Sequence, residues 1–357
     1  MSLLKGGAVT PMSNQTTRSG NRTDEGCGQV NASANLVFMV VYCLLFLVGL
    51  LLNGFTLKVY FCSGQQMSSS VTVYLKNLAA ADFLMSLCLP VRVSNYASVT
   101  VLVRRLWCNF GASAFYLNMY ASILFMGYVA ANRYLKIVHP LGTHVLQRVR
   151  SAYIISSLTW VFLLSMMSVY ILLSLITQQP LPSVPVSVTC DVLHSPQVRL
   201  LYQIIHCCSA LIFLCVLVSL VFFYHSTSHR LALALHRQPA SSRSKKLLRS
   251  RRNMLVLVVV FCVCFVPYHL VRLPYAFMYR RCSWSYAFFY LKELTTVVSV
   301  LNVCLDPLIY FIFCKAFRAQ LSLRRVFSTT EGETNTVKTE RRSSGVRGNS
   351  LTKQTVL

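Results

Sequence analysis

The sequence predicts an all-α membrane protein, a seven-transmembrane helix bundle with a short amphipathic eighth helix. Three observations carry that expectation. Of the 357 residues 55% are hydrophobic and only 12% are charged, which is too apolar for a soluble domain of this length. Apolar runs of membrane-spanning length recur along the chain, a helix needing about 20 such residues to cross the hydrocarbon. The net charge of +25 is gathered into a few connecting segments, where a nucleic-acid-binding protein would spread it over a surface.

Residues 1–35 form a polar tail bearing three glycosylation sequons, at Asn14, Asn21 and Asn31, and no other sequon occurs in the chain. Glycosylation is lumenal, so the tail is expected outside the cell. The start "MSLLKGGAVTPMS" has no apolar core of signal-peptide length, so the first span is expected to act as an uncleaved signal anchor.

Residues 36–57, 107–131 and 151–179 are uncharged and long enough to span. Four further runs carry isolated polar groups: 71–99 around Asp82, 200–224 around His206, 253–277, and 286–314 around Asp306. Seven spans in residues 36–314 follow. Lys136, Arg148 and Arg150 lie between spans three and four. Arg230, Arg237, Arg243, Lys245, Lys246, Arg249, Arg251 and Arg252 crowd the connection from five to six, and Lys315, Arg318, Arg324 and Arg325 follow span seven. The positive-inside rule places these segments in the cytoplasm. Residues 315–327 read as an amphipathic helix on the inner leaflet, and 328–357, rich in serine, threonine and charge, as a disordered cytoplasmic tail.

Of the 14 cysteines most fall within spans. Cys27, Cys108, Cys190 and Cys282 lie on the outer, oxidising side, where disulfides persist. Four cysteines allow three pairings. Joining Cys190 to Cys108 would fold the long loop after span four across the mouth of the bundle, leaving Cys27 for Cys282.

The stretch "FVPYHLVRLPYAF" sets ionisable groups in an apolar span, where charge is costly and usually faces a cavity. His269, Arg272 and Tyr275 share one helical face above Pro267, whose missing N–H kinks the span. Lys292 and Glu293 on span seven, Arg92 on span two, and Tyr116 and Asn118 on span three fall near the same end. Converging basic and aromatic groups suit an anionic extracellular small molecule: guanidinium gives paired donors to phosphate or carboxylate, and a phenol ring can stack on a base or lie along an acyl chain. In the alternative reading, Arg272 pairs with Glu293 and Lys292 snorkels to the headgroups. Neither an enzyme's Ser/His/Asp or HExxH constellation nor a transporter's internal repeat is evident.

Asn53 in "GLLLNG", Asp82 in "NLAAAD", "NRY" at 132–134, Trp160, "CFVP" at 264–267 and "NVCLDPLIY" at 302–310 occur on successive spans. Over about residues 36–325 this pattern resembles the rhodopsin-like (class A) G-protein-coupled receptors. The stretches "FCVCFVPYHLVRLPYAF" and "FFYLKELTTVVSVLNVCLDPLIYFIFCKAFR" are similar to the purinergic nucleotide receptors of the ADP and UDP-sugar branch. That resemblance implies that His269, Arg272, Tyr275 and Lys292 line a nucleotide or nucleotide-sugar pocket, and that Gi-type heterotrimeric G proteins are the partners. The tail-to-loop disulfide fits it. Tyr202 and His206 on span five depart from the branch, and a lysophospholipid receptor of the same fold is the alternative; a transporter or silent decoy receptor is the alternative of another class.

The resemblance also implies coupling roles for Asn132, Arg133, Tyr134, Tyr224, Phe265, Pro267, Pro307 and Tyr310. Asn132 stands where the commoner motif has an acid, so Arg133 is expected to lack its usual partner and to be held less firmly. Asp82 and Asp306 are buried carboxylates with no base nearby in sequence, so a proton or cation must neutralise them. A sodium ion, with Asn53, Ser122 and Asn302 as further oxygen ligands, is the expected occupant, and no other cofactor is. The tail hydroxyls, notably in "RRSS" at 341–344, offer sites for receptor kinases and then arrestin, and the terminal "TVL" suits a PDZ groove.

Overall fold

The computed structural model describes residues 32–62, 69–97, 100–139, 144–178, 190, 195–237, 242–278 and 285–313. The sequons at Asn14, Asn21 and Asn31, the Cys27–Cys282 pairing, the eighth helix and the tail lie outside them. Seven helices are long and apolar enough to cross a membrane: Ser33–Phe61, Ser70–Ala97, Val101–Val138, Val149–Ile176, Pro196–Arg237, Ser244–Phe277 and Ala287–Phe313, here spans one to seven. The reason for helix is the solvent: hydrocarbon offers no hydrogen bonds, so each span must satisfy its backbone internally, whatever the β-branched content of its sequence.

Spans five and six run well past the apolar segments that announce them, into Arg237 and Lys245. Apolar length measures the membrane, whereas lysine and arginine are good helix formers and let the same helix continue beyond it. Neighbouring spans pack in chain order into a ring that seven closes against one, and span three passes between two, four, five and six. Spans two and three are accordingly the most enclosed, and spans one, four and five the least.

Two local departures from α-helix matter for the site. Span three opens through a π-helical turn, Trp107–Gly111, which carries Cys108 into its disulfide with Cys190. In span seven, Ser285–Val300 gives way to Asn302–Phe313 at Leu301, whose N–H is shared between the carbonyls of Val297 at 3.1 Å and Val298 at 3.3 Å. Below that joint Pro307 has no N–H to give the carbonyl of Val303. Asn53 replaces it: its Nδ2 donates to Val303 O at 2.9 Å and to Gly49 O at 3.0 Å. The asparagine of span one thus completes the broken ladder of span seven.

That contact requires close approach at Gly49, where an added Cβ would meet Val303 Cγ1 at 2.5 Å and Ser86 Oγ at 2.7 Å. At Gly54 the nearest atom is Phe83 Cε2 at an ordinary 3.6 Å. Gly49→Ala is therefore expected to cost about 1–3 kcal/mol through overpacking, seen as a lower melting temperature of purified protein. Gly54→Ala should melt with the parent or slightly above it, since alanine is the better helix former.

Candidate functional site

Arg272 of span six projects into the outer end of the bundle between spans three and five. Its Nε donates to His206 Nε2 at 3.0 Å, and its terminal nitrogen to the hydroxyls of Tyr116 and Tyr202. Because His206 Nε2 accepts, its proton sits on Nδ1, which faces the carbonyl of Tyr202 at 3.1 Å. The rings of Tyr116, Tyr202 and Tyr275 lie 5.4, 5.5 and 5.6 Å from the guanidinium carbon. Arg272 is half-buried and holds only neutral partners among these contacts.

Beside it, Glu293 of span seven is shared by two cations. Arg92 reaches its Oε2 at 2.7 Å and Lys292 its Oε1 at 2.9 Å, while the hydroxyl of Tyr96 donates to Oε2. The Arg92 guanidinium is enclosed by aromatic faces, with Tyr42 at 4.8 Å, Phe115 at 5.2 Å and Trp107 at 5.3 Å. The π-turn is what aims Trp107 there. Lys292 also lies 4.9 Å from the centre of Tyr275, the ring that Arg272 approaches from its own side. One phenol thus touches both clusters.

Among the expected residues Arg92, Tyr116, Arg272, Tyr275, Lys292 and Glu293 come together here, and the pairing of the alternative reading is not the one formed. Arg272 does not pair with Glu293; Arg92 and Lys292 do. Lys292 does not snorkel, since its side chain is only 15% exposed and salt-bridged. His269 does not present a charge: Nδ1 donates to Phe265 O at 2.8 Å, Nε2 meets the Tyr120 hydroxyl at 3.2 Å, and the ring stacks on Phe213 at 3.8 Å. Asn118 turns to Ala114 O and Cys88. Sequence reasoning marks Tyr202 and His206 only as departures and passes over Tyr42, Tyr96 and Tyr120. The signal for the first two is present, a Tyr–His pair four residues apart in an otherwise apolar span.

Midway down the bundle Asp82 is fully buried. Ser122 Oγ donates to its Oδ1 at 3.0 Å, Asn302 Nδ2 to the same atom at 3.3 Å, and Tyr310 to its Oδ2 at 2.6 Å. Asp306 is also fully buried, and neither of its oxygens, nor Oδ1 of Asn302, receives a hydrogen bond. Unsatisfied carboxylate and amide oxygens around a second carboxylate are a hard-cation donor set, so these residues fit a sodium ion. Asn53 turns its amide nitrogen to Gly49 and Val303, and its Oδ1 is likewise buried without a hydrogen bond.

At the inner end Asn132 donates to Ser70 Oγ at 2.8 Å and to Leu146 O at 2.7 Å. Arg133 does find a partner: it donates to the Phe313 carbonyl at 3.0 Å and lies 4.7 Å from that residue's ring. Tyr134 stacks on Phe223 at 4.9 Å, and the neighbouring Tyr224 is half-buried. Phe265 is fully buried against Phe261, just before Pro267.

A closed ring of seven spans, with a charged chamber at one end and an arginine engaging span seven at the other, is the layout of a seven-helix membrane receptor. Residues 52–310 match the family described as 7 transmembrane receptor (rhodopsin family), and the chain belongs to that family. It is 33% identical over 312 residues to purinoceptor 14 of Bos taurus, covering 85% of this chain and 90% of that one. It is 31% identical to G-protein coupled receptor 87 of Mus musculus, over 92% of each chain, and 31% identical to purinoceptor 13 of Homo sapiens, over 89% of each. These likenesses place it with the purinergic branch. It is a multi-pass membrane receptor that couples to G proteins, and not an enzyme.

Glu293→Gln leaves Arg92 buried without its carboxylate, a change that costs about 3–5 kcal/mol for a broken buried pair. Arg92→Met together with Glu293→Gln removes the Arg92–Glu293 pair but still leaves Lys292 without its carboxylate, so it should recover only the part of that loss that belongs to Arg92. Melting curves of the two variants in the same detergent check the difference.

Proposed function

We propose that the outer chamber binds an anionic extracellular ligand, a nucleotide or nucleotide sugar, and that its binding drives signalling through Gi. The observation that carries this reading is a charge imbalance. Arg92, Lys292 and Arg272 face one another with a single carboxylate, Glu293, which leaves two positive charges in excess among the described residues. Excess charge in a partly dehydrated chamber is costly, and a phosphate-bearing ligand neutralises it with bidentate donors at Arg272 and a point charge at Lys292. The rings of Tyr116, Tyr202 and Tyr275 give a base a surface to stack on.

The remaining assignments belong to the same reading. The basic segments after spans three, five and seven put the amino terminus outside, with sugars on Asn14, Asn21 and Asn31 and a second disulfide from Cys27 to Cys282. Gi coupling rests on the resemblance to the purinergic branch. Receptor kinases and arrestin act on the tail hydroxyls, and a PDZ domain on the terminal "TVL". Sodium at Asp82, Asp306, Ser122 and Asn302 stabilises the resting bundle.

Arg272→Gln and Lys292→Gln are each expected to weaken agonist potency at least tenfold with surface expression intact, since each removes a charge-assisted bond of about 1.5–3 kcal/mol. A panel of nucleotides, nucleotide sugars and lysophospholipids, read by G-protein dissociation in cells, checks this and separates the ligand classes. Potency unchanged in both variants overturns the anion reading, and a response to lysophospholipids alone replaces the nucleotide with a lipid headgroup.

For the sodium site, replacing choline chloride by sodium chloride at constant ionic strength should raise the melting temperature of the parent. The rise should disappear in Asp306→Ala.

A further inference from the structure

We propose that Glu293 is a built-in competitor of the ligand: it occupies Lys292 in the resting receptor, so that only a ligand carrying two linked anionic groups can draw the lysine away. The inference rests on the anion-binding reading of the outer chamber and adds to it the residue that sets how many anionic groups a ligand needs.

The geometry makes the two cation groups unequal. Arg272 faces the chamber half-buried with neutral partners, two phenols and an imidazole. Lys292 is already neutralised by Glu293 at 2.9 Å. A single anionic group is therefore served at Arg272 alone. The lysine has donors to spare, but its charge is already neutralised, so recruiting it means competing with Glu293 for that charge, and a second anionic group repays the cost. Glu293 is not left stranded when this happens, because Oε2 keeps Arg92 at 2.7 Å and the Tyr96 hydroxyl. The pair is thus built to exchange one of its two cations. Tyr275 makes the exchange short, since Lys292 Nζ lies 4.9 Å and the Arg272 guanidinium carbon 5.6 Å from the centre of that one ring.

Competition must be told apart from a plain change of field. Glu293→Gln frees Lys292 and also raises the chamber's charge by one. Arg92→Met with Glu293→Gln frees Lys292 at unchanged net charge, because a cation and an anion leave together. The probe is inorganic pyrophosphate, titrated against purified full-length receptor in neutral-lipid nanodiscs and read as the rise in melting temperature, with inorganic sulfate as the anion of a single group beside it. Both variants are expected to lower the half-saturating pyrophosphate concentration about tenfold, the worth of one charge-assisted bond. The preference for pyrophosphate over sulfate should widen, because sulfate is served at Arg272 in parent and variants alike, and Arg272→Gln should lose the saturable response.

If Glu293→Gln does not fold, the charge-balanced double variant decides alone. Unchanged half-saturation in that variant overturns the proposal, as does a gain in Glu293→Gln that the double variant lacks, which would be a field effect. If Arg272→Gln still weakens pyrophosphate in either of those cases, the anion site stands and only the competitor fails. A saturable response absent from parent and double variant alike overturns the anion site itself.

Discussion

A bilayer core cannot solvate a polar group, and the polar contacts of this receptor are answers to that constraint. Pro307 opens a gap in the backbone ladder of span seven, and the gap is closed from span one by Asn53. Arg92 enters the bundle from span two and meets a carboxylate and four aromatic rings. Asp82 gathers a serine, an asparagine and a tyrosine from two other spans. Each is a polar group of one helix satisfied by another, so the polar contacts set helix order and register while the apolar side chains fill the space between.

Span seven collects most of these ties. Near its outer end Glu293 holds Arg92 of span two; at its middle Asn302 and Tyr310 hold Asp82; at Phe313 its carbonyl and ring hold Arg133 of span three. Between the first and second of these lies the joint at Leu301, where the ladder is bifurcated and weaker than a straight helix. Lys292 and Glu293 therefore stand on a helix whose lower half also carries the carboxylate cluster and the arginine contact.

Much of this is legible in the amino-acid sequence. The spans follow from apolar length, the outer site from charge where charge is expensive, and the family from six polar anchors in order. Which polar group meets which is not legible there. Helical spacing puts His269, Arg272 and Tyr275 on one face, yet the face spans two depths: His269 sinks onto Phe213 and Tyr120, while Arg272 stays in the chamber. Consecutive residues such as Lys292 and Glu293 do not share a helical face, but a long lysine stem closes the distance. Being polar and intramembrane groups Asn53 with the carboxylates; that its amide nitrogen also meets a carbonyl freed by a proline at the far end of the chain is a tertiary fact that span-by-span reading does not reveal.

The asparagine at 132 shows how one substitution in a motif redistributes a tie without losing it. A carboxylate at this position can only accept hydrogen bonds, whereas an amide also donates. Asn132 uses that capacity twice, toward Ser70 of span two and toward the carbonyl of Leu146 in the turn after span three. The connection between spans three and four is thereby fixed by a donor that an acid could not supply. Arg133, relieved of an acidic neighbour, takes a carbonyl and an aromatic face on span seven instead. The restraint on the inner end of the bundle accordingly runs from span three to span seven, the same helix that carries Lys292 and Glu293 at the other end.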